Sequence, residues 1–353
     1  MSAADPVRGT CPTPLTEAEK VLLGHGSGGQ LSTELLREVV VPALGAAATE
    51  TVPEDAAVVD VAGVDLVIST DAFVVSPLFF PGGDIGVLAV HGTVNDLAMM
   101  GAEPLAMAVA YIIEEGFPVT DLRRVTASIG AAAAAAEVRI VTGDTKVVGR
   151  GAADGLFVTT TGIGRRLPGV RVSAAFARPG DVVLLSGPIG AHGTTILSTR
   201  EALGFEAEIA SDTRPLHWLV AKMVADASYG IHTMRDPTRG GVASALNEIA
   251  TASGVGIEID ETAVPVPAPV AAACELLGLD PLHVANEGCL VAMVAPESAE
   301  ALLATMRSTP EGRRAVRLGE VVSEHPGRVI MNTLMGGKRV VDMLVGEQLP
   351  RIC

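Results

Sequence analysis

The chain has 353 residues, of which 48% are hydrophobic but only 3% aromatic, and its formal net charge is -16 at neutral pH. That length suggests two domains, and a core of Ala, Val, Leu and Gly favours sheets covered by helices, an α/β (α+β) fold. The charge argues against nucleic acid and the anionic inner membrane surface as partners, and an anionic substrate such as ATP would need a cation between itself and any nearby acids.

Residues 1–22 form a Pro-rich, polar extension that is expected to be poorly ordered. It has no basic region followed by an apolar stretch and a small-residue cleavage site, which predicts a cytoplasmic protein. The longest apolar region, Val87 to Ile113, contains His91, Asn95, Asp96 and Glu103 and is therefore expected to be buried core, not a membrane span.

Gly24 to Gly29, GHGSGG, has the spacing G-x-G-x-x-G, a weak signal for a dinucleotide site unless a strand precedes it within a βαβ unit, and no P-loop pattern occurs. It reads as a loop, with His25, Gly26, Ser27, Gly28 and Gly29 as candidate backbone contacts to phosphate. The run LSTELLREVV predicts a helix that stops near Pro42. From Val58 to Gly164, strand-like runs such as VDLVIST, AMAVAYII and LFVTTTGIG alternate with helical ones, giving a first domain over 23–172.

After the turn-rich RRLPGVRVSAAFARPGD, the strand VVLLSGPIG opens a second α/β domain over 173–345. Its clearest amphipathic helix is GGVASALNEIATASG, with Val242, Leu246 and Ile249 on one face. Residues 346–353 end in LPRIC, read as a flexible tail with nothing for its terminal thiol to pack against. Extended, it could reach about 25 Å at about 3.3 Å per residue.

Asp55, Asp71, Asp96 and Asp144 recur where strand-like runs end or helices turn. Singly such residues are caps or turns, but acids at the ends of adjacent strands converge and then need cations. Hard oxygen ligands of this kind suit Mg²⁺ on nucleotide phosphates. Lys146 and the RDPTRGG segment, with Asp236 and Arg239, are candidates to face an anion, and Glu287 in ANEGCL is a candidate base with Gly288 permitting close backbone approach. Among the four cysteines, Cys11, Cys274, Cys289 and Cys353, no Cys-x-x-Cys pair occurs, so no zinc or iron–sulfur site is expected. Cys289 reads as core, whereas Cys353 at the chain end reads as a nucleophile whose thiolate Arg351 could favour.

The set HGSGGQ, STDAFVVSPLFFPGGDIG, GTVNDLAMMGAEP, GDTKVV, RDPTRGG, NEG and terminal PRIC resembles the HypE family of hydrogenase maturation factors, in the aminoimidazole ribonucleotide synthetase-like superfamily, and spans nearly the whole chain. The resemblance implies a two-domain fold whose N-terminal sheet pairs across a homodimer, with ATP and Mg²⁺ bound nearby. It implies a HypF-type carbamoyltransferase that loads Cys353, ATP-dependent dehydration of that S-carboxamide to a thiocyanate, and cyanide delivery to a HypC–HypD complex. Under it, Asp55, Asp71, Asp96 and Asp144 are metal ligands, Asp71, Asp236, Arg239 and His25 to Gly29 attend the nucleotide, and Lys146 and Glu287 act on the carboxamide. Two other readings are a selenophosphate synthetase-like enzyme or small-molecule kinase of the same superfamily, whose reactive residue sits in the N-terminal loop, and a non-catalytic thiol carrier.

Overall fold

The computed structural model describes residues 20–26, 28–48, 54–203, 209–346 and 351–353. Most of the N-terminal extension, Cys11 and Ser27 lie outside the described residues. Helix α1 (Gln30–Leu35) passes through a π-helical turn, Leu36–Val40, into α2 (Val41–Leu44). The helix ends at Leu44, near Pro42 as expected, with Gly45 at φ 55° behind it.

The first half then runs β1 (Ala57–Val61), β2 (Val64–Phe73), a short pair β3 (Phe79–Phe80) and β4 (Gly83–Asp84), α3 (Ile85–Met99), β5 (Ala102–Glu114), α4 (Val119–Ala135), β6 (Arg139–Val148) and β7 (Leu156–Arg166). Five of these strands make one sheet in the order β1-β2-β7-β5-β6. In β2, Val67, Ser69 and Phe73 are buried while Ile68, Thr70 and Ala72 between them are exposed, so only one face of the sheet is covered. The covering helix α3 starts at Asp84, whose carboxylate accepts from Gly86 N at 2.8 Å and Val87 N at 3.0 Å. A Cβ at Gly86 would stand 2.6 Å from the Val125 carbonyl, so this glycine lets α4 pack closely on α3.

The second half runs β8 (Val182–Leu185), α5 (Ala191–Arg200), α6 (His217–Ala227), β9 (Ile231–Arg235), α7 (Gly241–Ser253), β10 (Gly256–Asp260), α8 (Ala268–Leu277), β11 (Val291–Val294), α9 (Pro296–Arg307), β12 (Val316–Val322), β13 (Arg328–Asn332) and β14 (Lys338–Val341). Its seven strands are ordered β14-β13-β10-β12-β8-β11-β9. β8 and β11 read VVLL and VAMV and are buried throughout, as central strands covered on both faces must be. Val242, Leu246 and Ile249 of α7 pack on one face with Cys289, and Leu219 and Met223 of α6 with Leu302 and Met306 of α9 pack on the other.

α3 is buried nearly all round because it lies between the first sheet and α6 of the second half. This places its last turn, the end of β2 and the end of β9 around one interior point. No helix among the described residues is long and apolar enough to cross a membrane.

Candidate active site

Four acids meet at that interior point. Asp55 precedes β1, Asp71 lies near the end of β2, Asp96 is in the last turns of α3, and Asp236 follows β9. Ser69 Oγ donates to Asp96 Oδ2 at 2.6 Å, Thr93 Oγ1 donates to Asp71 Oδ2 at 2.8 Å, and Arg235 Nε meets Asp55 Oδ1 at 3.0 Å. Asp55 Oδ2 and Asp236 Oδ2 are buried with no hydrogen-bond partner. Asp55, Asp96 and Asp236 each turn an oxygen toward the others, all within 4.8 Å.

Burial and mutual repulsion make ionisation costly here. Burial pushes Asp55 and Asp96 well above the carboxylate range, with neighbouring acids adding to it, and raises Asp236 to about 7. Asp71 is raised by burial as well. Clustered hard oxygens with orphaned lone pairs fit a divalent cation such as Mg²⁺, which would supply the missing partners.

Glu287 is only 2% exposed and sits beside this cluster. Burial raises it well above its ordinary range, and Asp236 and Asp212 add to the effect. Its position is set through the backbone: the Asp212 carboxylate accepts from Glu287 N and Gly288 N, each at 3.1 Å. A Cβ at residue 288 would fall 1.8 Å from the Asp212 carbonyl, so only glycine fits.

Arg239 joins the Gly-rich loop to the acids. Its Nη1 donates to the Gly26 carbonyl at 3.4 Å, and Gly28, at φ 75°, lies so close that a Cβ would be 2.7 Å from the Arg239 Cβ. Cys353, Asp71, Glu287 and Asp96 all lie near enough to hold the Arg239 proton more firmly. His25 is half-buried, and its Nδ1 accepts from Leu22 N at 2.9 Å.

The tip of the tail is docked, contrary to the expectation of a thiol with nothing to pack against. Val74 N donates to the Cys353 main-chain oxygen at 3.0 Å and Ser76 N to the Arg351 carbonyl at 3.1 Å, extending the pairing past β2. Ile352 is buried in the core that contains Val75, Phe80 and Ile196. One apolar side chain and open N–H groups at 74 and 76 are what the sequence reading lacked. Burial pushes the Cys353 thiol up to about 12, with Arg239 opposing the shift. The cation whose charge favours the Cys353 thiolate is thus Arg239; Arg351 is engaged elsewhere, donating from Nε to the Val74 carbonyl at 3.0 Å and pairing with Asp154.

Asp144 and Lys146 are not brought to the cluster within this chain. Asp71 pairs with Thr160, Thr160 with Val109 and Val109 with Gly143, so three strand spacings, about 14 Å, separate β2 from β6. Asp144 and Lys146 pair with Ala110 and Ile112 on the open face of the sheet and with each other at 2.9 Å, both well exposed. Hydrogen bonding from Lys146 holds Asp144 below its ordinary range. Reading runs of sequence missed Asp212, Arg235 as the partner of Asp55, and the groups around the tail, His192, Ser211 and Arg200. None stands in a periodic pattern, and only the fold brings them inward.

Residues 53–166 match the AIR synthase related protein N-terminal domain, and residues 178–332 match the AIR synthase related protein C-terminal domain. A carbamoyl dehydratase HypE from Cupriavidus necator is 55% identical over 334 residues, covering 95% of each chain. A chain in the crystal structure of a HypE–HypF complex superimposes with a TM-score of 0.83 at 47% identity, covering 88% of this chain and 99% of that one. The crystal structure of a HypE in complex with ATP has a TM-score of 0.80 at 48% identity, covering 95% and 100%.

Proposed function

The chain belongs to the AIR synthase related family and, within it, to the HypE carbamoyl dehydratases, and from that premise we propose that its own terminal Cys353 carries the S-carboxamide that it dehydrates to a thiocyanate for the cyanide ligand of a [NiFe]-hydrogenase. The observation that carries the proposal is the seat of the tail: Ile352 is buried in the core, and the last sulfur of the chain lies close enough to Arg239, Glu287, Asp71 and Asp236 to feel their charges, in the neighbourhood of acids fit for a magnesium–nucleotide complex.

An amide oxygen is a poor leaving group, and a phosphoryl group from ATP converts it to phosphate, so that the water removed ends up in phosphate and ADP. Mg²⁺, held by Asp55, Asp96 and Asp236 with Asp71 beside them, would neutralise the phosphate charge in this acidic pocket. Arg239, lying over the Gly-rich loop and beside the sulfur, orients the carboxamide and meets the developing negative charge. Glu287, whose raised affinity for protons suits a base, takes protons from the carboxamide nitrogen.

Lys146 and Asp144 enter this scheme from a second subunit. The open face of the first sheet exposes Val59, Val61, Val64, Ile68, Ile112 and Ile163, an apolar surface suited to pairing with its own copy in a homodimer. Loading by a HypF-type carbamoyltransferase, transfer to a HypC–HypD complex and a cytoplasmic setting complete the proposal. The relative found in a HypE–HypF complex supports the first of these.

The test is intact mass spectrometry of the carboxamide-loaded protein before and after MgATP. Loss of one water from the C-terminal peptide, absent in Cys353→Ser, is the expected result. A loaded protein that keeps its mass through ATP turnover would leave only a thiol carrier.

A further inference from the structure

The last peptide of the chain is gripped by a single buried imidazole. His192, in the first turn of α5, is fully buried, and its Nε2 lies 2.6 Å from the Ile352 carbonyl oxygen. A carbonyl can only accept, so Nε2 carries the proton. Burial holds His192 below its ordinary range, which keeps the ring neutral and leaves Nδ1 as an acceptor. The partner of Nδ1 is Ser211 Oγ at 2.7 Å, and that same oxygen accepts from Thr213 N at 3.2 Å, so the hydroxyl proton points at the ring. The tautomer is therefore fixed by a chain that begins in the backbone. Phe80 meets the ring edge-on with centroids 5.7 Å apart, and Arg200 donates from Nε to the Ser76 carbonyl at 2.9 Å and from Nη2 to the Arg351 carbonyl at 2.8 Å, bracketing the seat from the other side.

We infer that His192 is the positioning residue of the tail: by donating to the Ile352 carbonyl it fixes the last peptide plane and so aims the Cys353 sulfur at Arg239 and Glu287. This rests on reading Cys353 as the carrier of the reacting group. The hydrogen bonds of His192 go to Ile352 and Ser211, and its effect falls on dehydration, which needs the tail inside, and not on loading, which needs it outside. A donor lost at a buried carbonyl leaves that oxygen unsatisfied and shifts the tail outward by on the order of tenfold in the docking equilibrium.

The experiment follows three readings on the full-length homogeneous protein: alkylation of Cys353 by iodoacetamide, carboxamide loading by the cognate transferase, and single-turnover loss of water with MgATP. In His192→Phe, which keeps a ring beside Phe80, alkylation is expected to accelerate about tenfold, loading to be equal or faster, and dehydration to slow about tenfold. His192→Gln, whose amide can donate to the same carbonyl, should recover most of the dehydration rate. Should the Phe variant fail to fold, Ser211→Ala decides by the same readings, with a smaller change in the same directions. Unchanged alkylation and dehydration overturn the inference, and so does a parallel fall in loading and dehydration, which marks general damage. If wild-type protein loads but never loses water, the carrier chemistry itself is wrong, while alkylation still reports whether the imidazole holds the tail.

Discussion

Arg235 binds one oxygen of Asp55 at 3.0 Å and leaves the other, Oδ2, buried without a partner. A carboxylate held halfway in this manner, with Asp96 and Asp236 turned to the same point, is stable only when a cation completes it or a proton neutralises it. Asp96→Asn removes one of these acids while an amide oxygen can still accept from Ser69. The ligand-free variant should be more stable than wild type by about 1–3 kcal/mol in urea unfolding, because a costly buried acid is gone. Carboxamide loading should be normal and dehydration lost. Unimpaired turnover would remove Asp96 from the site.

A second consequence concerns acid. His91 and His217 are both buried where α3 meets α6, and burial lowers each to about 4, with His217 further discouraging a proton on His91. His91 Nδ1 has Thr213 Oγ1 at 3.3 Å, whereas neither ring nitrogen of His217 has a partner. Their folded affinity for protons is depressed, so the unfolded chain binds protons first as pH falls. The stability they permit is complete above the unfolded value of about 6.5 and is lost as pH falls toward 4. Urea unfolding at pH 7 and pH 5 should show a smaller acid loss in the double variant His91→Gln, His217→Gln, by on the order of a few kcal/mol. An equal loss in both proteins would show that these rings take protons while folded.

The close approach at Gly288 makes a sharper demand on the backbone. An alanine Cβ would stand 1.8 Å from the Asp212 carbonyl, which is main chain and cannot swing aside. Gly288→Ala should cost several kcal/mol in unfolding free energy and carry Glu287 away from the sulfur, removing dehydration from whatever fraction folds. Gly130, exposed on α4 with nothing within 4 Å of a built Cβ, is the internal contrast. There alanine should stabilise by about 0.5–1 kcal/mol, since only helix propensity changes. Wild-type activity in Gly288→Ala would show that this loop does not set the position of Glu287.

What could be read from the sequence follows from how local each signal is. The face of Val242, Leu246 and Ile249 in α7 is set by helical period, and the burial of VVLL and VAMV by unbroken apolar runs, so both are legible without a partner. Asp55, Asp71 and Asp96 stand out as acids placed where elements end. His192 and Asp212 give no such signal: each acts only because α5 and the segment before α6 arrive beside the tail, a contact made across about 160 residues for His192. The docked tip was missed because a single Ile in a polar tail carries no periodicity. Asp144 stands at a strand-like run as the other three aspartates do, with Lys146 just after it, yet the register of β5 with β6 puts both on the open face.

That open face leads to the last prediction. If a partner subunit supplies Lys146 to each site, then a chain lacking Lys146 and a chain lacking Cys353 are each inactive alone but complete one site when paired. Lys146→Ala keeps its own tail, and Cys353→Ser keeps its own lysine, so their heterodimer has one tail facing one lysine across the interface. Mixed at equal concentration with free exchange, half the dimers are heterodimers with half their sites restored, giving about a quarter of wild-type dehydration. Within a single chain, Lys146 lies too far along the sheet, and on the wrong face, to reach the acids around Asp71, so a lysine acting in its own subunit predicts no recovery at all. The measurement is single-turnover water loss after unfolding-free subunit exchange, with size-exclusion chromatography confirming the dimer. An inactive mixture of exchanged dimers would confine each site to one chain and overturn the supply of Lys146 across the interface, whereas a Lys146→Ala protein that is fully active by itself would withdraw Lys146 from the chemistry.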